Sequence, residues 1–339
     1  VGSVKRVHQA DWCDTGVRFL RARDIVAFAK NEDIADPIYI SQDRYEEYSK
    51  LSGKVKVGDL LVTGVGTIGV PMLVGNDDPL YFKDGNVIWF KNENAINGLF
   101  LYYSFINKTI QNFIKDSAGI GTVGTYTITS GKRTPIYLPK ENEQIQIGNF
   151  FQNLDQSIAL HEKKLSQTQN LKKAMLEKMF PKAGSTQPEI RLKGFSGDWE
   201  KKLLDKEVEF FSGLTYSPDD LTNKNGTLVL RSSNVQDNQI FMDDNVYVVH
   251  EAVNVCNVEG GDIIVFVRNG SRRLIGKRAV IIKQMNNTVI GAFMTGVKAK
   301  NPYFINALFD TSLFDVAVSR NLGATINQIT TGMFKQMEF

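Results

Sequence analysis

Gly58-Asp59-Leu60-Leu61-Val62 and Gly261-Asp262-Ile263-Ile264-Val265 repeat one pattern: a glycine, an aspartate, then apolar strand formers. Alone the pattern is common. Here it sits between two further matches in the same order. Gly16-Val17-Arg18-Phe19-Leu20-Arg21-Ala22-Arg23-Asp24-Ile25 pairs with Gly226-Thr227-Leu228-Val229-Leu230-Arg231-Ser232-Ser233-Asn234-Val235, and Ile128-Thr129-Ser130-Gly131 pairs with Ile329-Thr330-Thr331-Gly332. The three offsets are 210, 203 and 201 residues. Blocks in one order at nearly one spacing mark an internal duplication, which decides the architecture before any single element does.

Between the copies the character changes. Residues 143–180 hold no proline and one glycine, Gly148. Phe151, Leu154, Ile158, His161, Leu165, Thr168, Met175 and Met179 step by threes and fours, passing over Lys172, which predicts a long helix with a coiled-coil-type stripe. At 1.5 Å per residue it would be about 50 Å long. Pro181 ends it, and Lys182 to Pro188 reads as a polar linker rich in helix breakers. The expected division is 1–142, helix 143–181, linker 182–190 and 191–339. Copy one opens 15 residues before Gly16, whereas copy two opens 27 residues before Gly226. Copy one reaches its helix 12 residues after Gly131, and copy two stops 7 residues after Gly332. The chain is therefore expected to be cut at both ends relative to a full repeat.

Within the copies, 57–62, 69–74, 87–90, 262–267 and 278–283 read as strands. Segments 99–115 and 302–318 read as helices with aromatics at core spacing. Residues 125–128 look strand-like. The fold class is α+β, two similar mixed units joined by the long helix.

The bulk composition excludes several classes. Of 339 residues, 42% are hydrophobic and 23% charged, which is globular rather than disordered or fibrous. The net charge of +3 excludes a uniformly basic surface. Two cysteines, Cys13 and Cys256, are too few for a disulfide framework or a Cys-rich zinc site, which suits a reducing cytoplasmic setting. No apolar run is long enough to span a membrane, and the first residues lack an export signal.

No catalytic signature emerges. Gly119 to Gly124 spells G-x-G-x-x-G, but a helix precedes it where a strand is required, so it reads as a loop. The copy-two counterpart, around Gly323, lacks the pattern. Gly131-Lys132 lacks the upstream glycine of a P-loop, since position 126 is Tyr. Asn301-Pro302-Tyr303-Phe304 misses the second proline of an amino-methyltransferase motif. Pro218-Asp219 has no acidic-x-Lys partner to make a nuclease site. His8, His161 and His250 have no metal-ligand spacing.

Charge is uneven, however. Residues 261–283 carry six basic side chains against Asp262 alone, and residues 1–30 carry six against three acids. Residues 31–50 are net acidic. One basic patch per copy suits a protein that holds phosphates at two places.

The ordered set resembles the specificity subunit of type I restriction-modification systems. The stretches that carry the resemblance are Phe19 to Ile25, Val57 to Val62 with Gly66-Thr67-Ile68-Gly69, Gly119 to Gly131, Glu143-Gln144-Ile145 leading into Leu154 to Ile158, and Arg191 to Glu200 with its Gly197-Asp198-Trp199-Glu200. The resemblance covers nearly the whole chain. It implies two target recognition domains that each read half of a split site on double-stranded DNA, held apart by the helical spacer. It also implies docking of two methyltransferase subunits, recruitment of restriction (translocase-nuclease) subunits, and no catalysis by this chain. S-adenosylmethionine, ATP and Mg would belong to the partners. DNA-contacting candidates are Lys5, Arg6, Arg21, Arg23 and Thr67 in copy one, and Arg231, Ser233, Asn234, Arg268, Asn269, Arg272, Arg273 and Lys277 in copy two. Phe151, Leu154, Ile158, Leu165, Met175 and Met179 are the packing and docking candidates. They would be uncovered unless another chain, including a second copy, packs on them. The alternatives are a single-chain DNA methyltransferase with its own recognition domain, or a coiled-coil interaction protein without a DNA role.

Overall fold

The structure, a computed structural model, describes residues 1–93, 95–118, 124–322 and 328–339. It divides into two compact units, Val1–Lys163 and Lys164–Phe339.

Unit 1 contains β1 (Trp12–Cys13), β2 (Val17–Leu20), β3 (Ile38–Ile40), β4 (Leu60–Thr63), β5 (Pro71–Leu73), β6 (Leu80–Phe82) and β7 (Val87–Phe90). Its helices are α1 (Ala22–Ala29), α2 (Gln42–Ser52), α3 (Gly98–Ile106), α4 (Lys108–Ser117), α5 (Ile128–Lys132) and the first part of α6 (Glu141–Met179). One sheet has the order β1-β3-β2-β6, the other β5-β4-β7. Among the described residues of unit 1, only β2 and β6 pair in parallel.

Unit 2 contains β8 (Val208–Ser212), β9 (Leu221–Thr222), β10 (Thr227–Leu230), β11 (Val235–Gln236), β12 (Gln239–Ile240), β13 (Val246–Val248), β14 (Ile263–Phe266), β15 (Arg278–Val280), β16 (Thr288–Ile290) and β17 (Met294–Ala299). Then come α7 (Pro302–Phe309), α8 (Ser312–Asn321) and α9 (Thr331–Lys335). The sheets are β9-β13-β10-β16 and β15-β14-β17-β8, with the hairpin β11–β12.

The two units share one topology. The parallel pair β2–β6 corresponds to β10–β16, and the antiparallel trio β5-β4-β7 to β15-β14-β17. The Gly-Asp pattern starts the central strand of that trio each time. Gly58 (φ +88) and Gly261 (φ +98) both need the left-handed backbone. The following aspartate then turns back on the chain. Asp59 accepts the Lys56 N–H at 2.9 Å, and Asp262 accepts the Glu259 N–H at 2.8 Å. That turn is why β4 begins at Leu60 and not at Val57.

The edge of the trio shows the same geometry with exchanged side chains. In unit 2, Phe211 of β8 lies opposite Gly296 of β17, and a Cβ on Gly296 would lie inside the Phe211 ring. In unit 1, Gly2 lies opposite Trp89 of β7, bonded through both backbone groups. Large and small residues have traded strands, so the total volume of the layer is kept.

The core of unit 1 lies on both sides of the trio. Trp89, Tyr81, Phe82 and Phe19 fill one cluster, and Leu60, Ile88, Phe105, Ile114 and Tyr126 the other. In unit 2, Val265, Phe309, Phe314, Ile329 and Phe334 form the matching helix-side cluster.

Three expectations are corrected. The helix expected over 99–115 is broken at Asn107, whose extended backbone (ψ 138) and side-chain bond to the Thr109 N–H start α4 afresh. Its counterpart over 302–318 breaks at Asp310 and Thr311, where Thr311 (ψ 156) is extended. Residues 124–127 form no strand. Tyr126 donates its N–H to Gly64, and Thr127 caps α5 through the Ser130 N–H. In unit 2, Ile329 donates to Val267 and Thr330 caps α9 through Met333. Tyr126 therefore pairs with Ile329, at an offset of 203, and the structural register of the third repeat block differs by two residues from the match of Ile128 with Ile329. The Gly119 to Gly124 loop and the Gly323 loop fall largely outside the described residues.

Asp59 also accepts from the Trp89 indole at 2.9 Å and the Asn92 N–H at 2.8 Å, all within the core. Asp59→Ala is expected to cost about 3 kcal/mol, because it strands buried donors; urea unfolding would measure this. Asp262 differs. Burial raises its carboxyl pKa, against the Glu259 N–H and Lys298, which lower it. The folded chain thus holds this proton more tightly than the unfolded chain. The contribution favours folding below the ordinary carboxyl range and is lost as pH rises through the raised pKa. Asp262→Asn, which keeps the acceptor, is expected to leave the melting temperature at pH 7 unchanged or higher, with any gain disappearing in acid.

Candidate nucleic-acid interface

The residues just past β2 and β10 form the same local turn. The Arg21 N–H donates to Asp24 Oδ2 at 2.8 Å, and the Arg231 N–H to Asn234 Oδ1 at 2.9 Å. This fixes the chain as it leaves the strand, and it decides the fate of several candidates. The Arg21 guanidinium is engaged through two of its three nitrogens. It forks onto buried Asp24 at 2.8 and 2.9 Å and reaches the Asp36 carbonyl at 2.6 Å. Asn234 is fully buried, and its amide donates to Phe241, Asp244 and Asn245. Both side chains therefore hold the turn together, and Asn234 has no amide donor left over for a base. Arg231 is engaged with Asp244 at 2.8 Å.

The remaining candidates lie on the surface. Lys5 sits 4.2 Å over the Tyr48 ring, and Arg6 is 68% exposed while bonded to Asp84 at 2.9 Å. Arg23 is exposed with Asp36 at 3.6 Å. Thr67 is exposed at the β4–β5 turn, where its carbonyl accepts the Thr63 hydroxyl. Ser233 is exposed at the turn after β10. Arg268 is exposed, 5.5 Å over the Phe293 ring, and Asn269 accepts the Ser271 N–H at 2.9 Å. Arg272, Arg273 and Lys277 are exposed, and none makes an ion pair among the described residues. Exposed cations without an acidic partner can exchange counterions for phosphates.

Arg278, counted with that patch by sequence, is not part of the surface. It is buried and paired with Asp310, its guanidinium 5.7 Å from the Phe314 ring. Burial pulls its pKa down and Asp310 opposes the shift. The other Asp310 oxygen takes Lys172 of α6 at 2.9 Å. Sequence spacing gave no sign of this triad, because its members are far apart along the chain.

Helix α6 is anchored in each unit by contacts of its own. In unit 1, Gln144 accepts the Asn97 N–H at 3.0 Å, and Gly148 lies so close to Leu99 that a Cβ would approach to 2.8 Å. Tyr103 donates to Asp155 at 2.7 Å and packs on Phe151. Burial and Asp155 both raise the Tyr103 pKa. In unit 2, Phe180 is buried against Trp199 and Phe304. Among the stripe residues, Phe151, Leu154, Ile158 and Leu165 are exposed, while Met175 and Met179 are half-buried. The exposed apolar surface is wider than the stripe, since Phe150, Leu160 and Leu171 join it.

Among the described residues no cluster of His, Cys, Asp or Glu is arranged to hold a metal. No helix among them is long and apolar enough to cross a membrane.

Two α+β units of one topology, joined through a 39-residue helix, define the class, and the comparisons agree. Residues 21–170 match the family model of the type I restriction modification DNA specificity domain. A putative type I restriction enzyme specificity subunit of Haemophilus influenzae is 29% identical over 141 residues, which is 40% of this chain and 33% of that protein. The S subunit of the type I restriction-modification system from M. genitalium has a solved structure that aligns with 99% of this chain and 80% of its own, at TM-score 0.55 and 13% identity. The HsdS subunit from Thermoanaerobacter tengcongensis aligns more loosely, over 84% of this chain and 69% of its own, at TM-score 0.44 and 15% identity. Residues 21–170, a little under half of the chain, are thus similar to the type I restriction modification DNA specificity domain, and the fold resembles that of the M. genitalium S subunit. The chain spans about one third of the length of the curated relative it matches.

Arg21→Ala is expected to destabilise unit 1 by about 3 kcal/mol, because buried Asp24 loses its forked guanidinium and keeps only Arg23 at 3.9 Å as an ion pair. Asp310→Ala is expected to cost a similar amount in unit 2 by stranding Arg278. Denaturant unfolding of each variant checks both, and wild-type stability in either would contradict the structural assignment.

Proposed function

We propose that this chain is the DNA-recognition component of a type I restriction-modification complex. Each unit reads one half of a bipartite site on double-stranded DNA, and α6 is the spacer between them. The observation that carries this reading is the duplication itself: one topology built twice in a single chain. Phosphate contacts would set register, and base contacts would set sequence. At about 1–3 kcal/mol per discriminated base pair, two short readings add up to a useful specificity.

The domain boundaries follow as 1–142 and 191–339 for the two recognition domains, with 143–181 as spacer and 182–190 as linker. The exposed stripe Phe151, Leu154, Ile158 and Leu165 supports docking of helices from another chain. In this reading those partners are two methyltransferase subunits, restriction subunits that join the same complex, and a second copy where the stripe is otherwise uncovered. The chain itself is not catalytic, and S-adenosylmethionine, ATP and Mg act in the partner subunits. The setting is cytoplasmic, where the substrate DNA is. Lys5, Arg6, Arg23, Thr67, Ser233, Arg268, Asn269, Arg272, Arg273 and Lys277 remain the proposed contacts, with Arg231 as a support for the turn.

Arg272→Ala with Arg273→Ala is expected to weaken duplex binding and to reduce the slope of log K against log salt by about 2, near 0.9 for each phosphate no longer neutralised. A titration over ionic strength checks this, and an unchanged slope would remove these two residues from the interface.

A further inference from the structure

Among the described residues, unit 2 carries an element that unit 1 lacks, at the point where the two copies should read different sequences. After β2 the chain enters α1, but after β10 it makes a short turn and then the hairpin β11–β12. The hairpin has a two-residue loop. Asp237 (φ +47) and Asn238 (φ +60) both adopt the left-handed backbone, as a type I′ turn requires. Glycine meets that requirement without steric cost, whereas Asp and Asn tolerate it and bring a polar side chain with them.

The ladder pairs Val235 with Ile240 and Gln236 with Gln239. Val235 and Ile240 pack against the core of unit 2. Strand alternation therefore turns Gln236 and Gln239 to the opposite face, and both are exposed, as are Asp237 and Asn238. None of these four side chains makes a hydrogen bond or ion pair among the described residues. The base of the hairpin is the reverse. Asn234 is buried with its amide fully engaged, Phe241 donates its N–H back to the Asn234 carbonyl at 2.8 Å, and Arg231 holds Asp244. A fixed base thus presents an unengaged polar tip. Lys277 lines the same small cleft as Val235, Asp237 and Asn238, beside Gln169 of α6.

A two-stranded ribbon fits the major groove of B-DNA, and Gln and Asn amides match the paired acceptor and donor of adenine there. We propose that the hairpin Val235–Ile240 is a specificity-determining element of unit 2: Gln236, Asn238 and Gln239 contact base edges in the major groove, adenine foremost, while Lys277 holds a neighbouring phosphate. This rests on the reading of the chain as a DNA-recognition component.

The test is selection from a randomised duplex pool by the full chain in complex with its methyltransferase subunits. Wild type is expected to enrich a bipartite motif. Gln236→Ala with Gln239→Ala is expected to lose about tenfold or more of the discrimination at one or two adjacent positions in one half-site, with the other half-site unchanged. Asn238→Gly is expected to relax the same half-site while thermal unfolding stays the same or improves, since glycine relieves the left-handed strain. Lys277→Ala is expected to lower the salt slope by about 1 and leave the motif alone. An unaltered motif in the Gln236/Gln239 and Asn238 variants would overturn the proposal and leave the broader reading standing. Relaxation in both half-sites would also overturn it. A wild-type complex that enriches no motif would overturn the broader reading, and this proposal with it.

Discussion

The buried aspartate behind a left-handed glycine is the constraint on which both units depend. Gly58-Asp59 and Gly261-Asp262 turn the chain into the central strand of a three-stranded sheet, and the carboxylate closes the turn on the N–H three residues earlier. The turn needs a residue without Cβ and an acceptor at the next position, so it leaves the same mark in the sequence each time. Around it the copies diverge freely. Asp59 collects the Trp89 indole and the Asn92 N–H in the core, whereas Asp262 has Lys298 at 3.7 Å.

The exchange of Gly2–Trp89 for Phe211–Gly296 makes the same point in packing terms. A layer has to be filled once, from either strand. Under the proposed function, reading two half-sites needs one framework and two different surfaces. The framework is kept here by backbone geometry, while α1 and α2 of unit 1 give way in unit 2 to a hairpin and a short turn at His250–Ala252.

The parts legible from sequence are those set by local chemistry. The Gly-Asp turns, the apolar strands after them and the proline-free run of α6 can each be read from a few neighbouring residues. The helix breaks at Asn107 and Thr311 are hard to read, because apolar spacing continues across both and only extended backbone, with an Asn side-chain cap at the first, interrupts it. The third repeat block aligns two residues off because Ile128 mimics Ile329, while the residue that fills the buried place is Tyr126. Charge is the least legible feature. Arg21, Arg278 and Asn234 have side chains suited to DNA, yet Asp24, Asp310 and the loop after β12 engage them within the fold. Those partners are set by the fold and not by spacing. The hairpin tip escapes a sequence reading for the opposite reason: Gln236, Asn238 and Gln239 carry no charge and stand outside the repeated block.

The central claim is that the two units recognise DNA independently on a shared framework. Its most direct measurement is the methylated motif produced in cells by the chain with its partner subunits, before and after residues 1–142 are replaced by the corresponding unit of another specificity subunit. The account predicts that one half of the bipartite motif changes and the other half is kept. Change in both halves, or in neither, would contradict it.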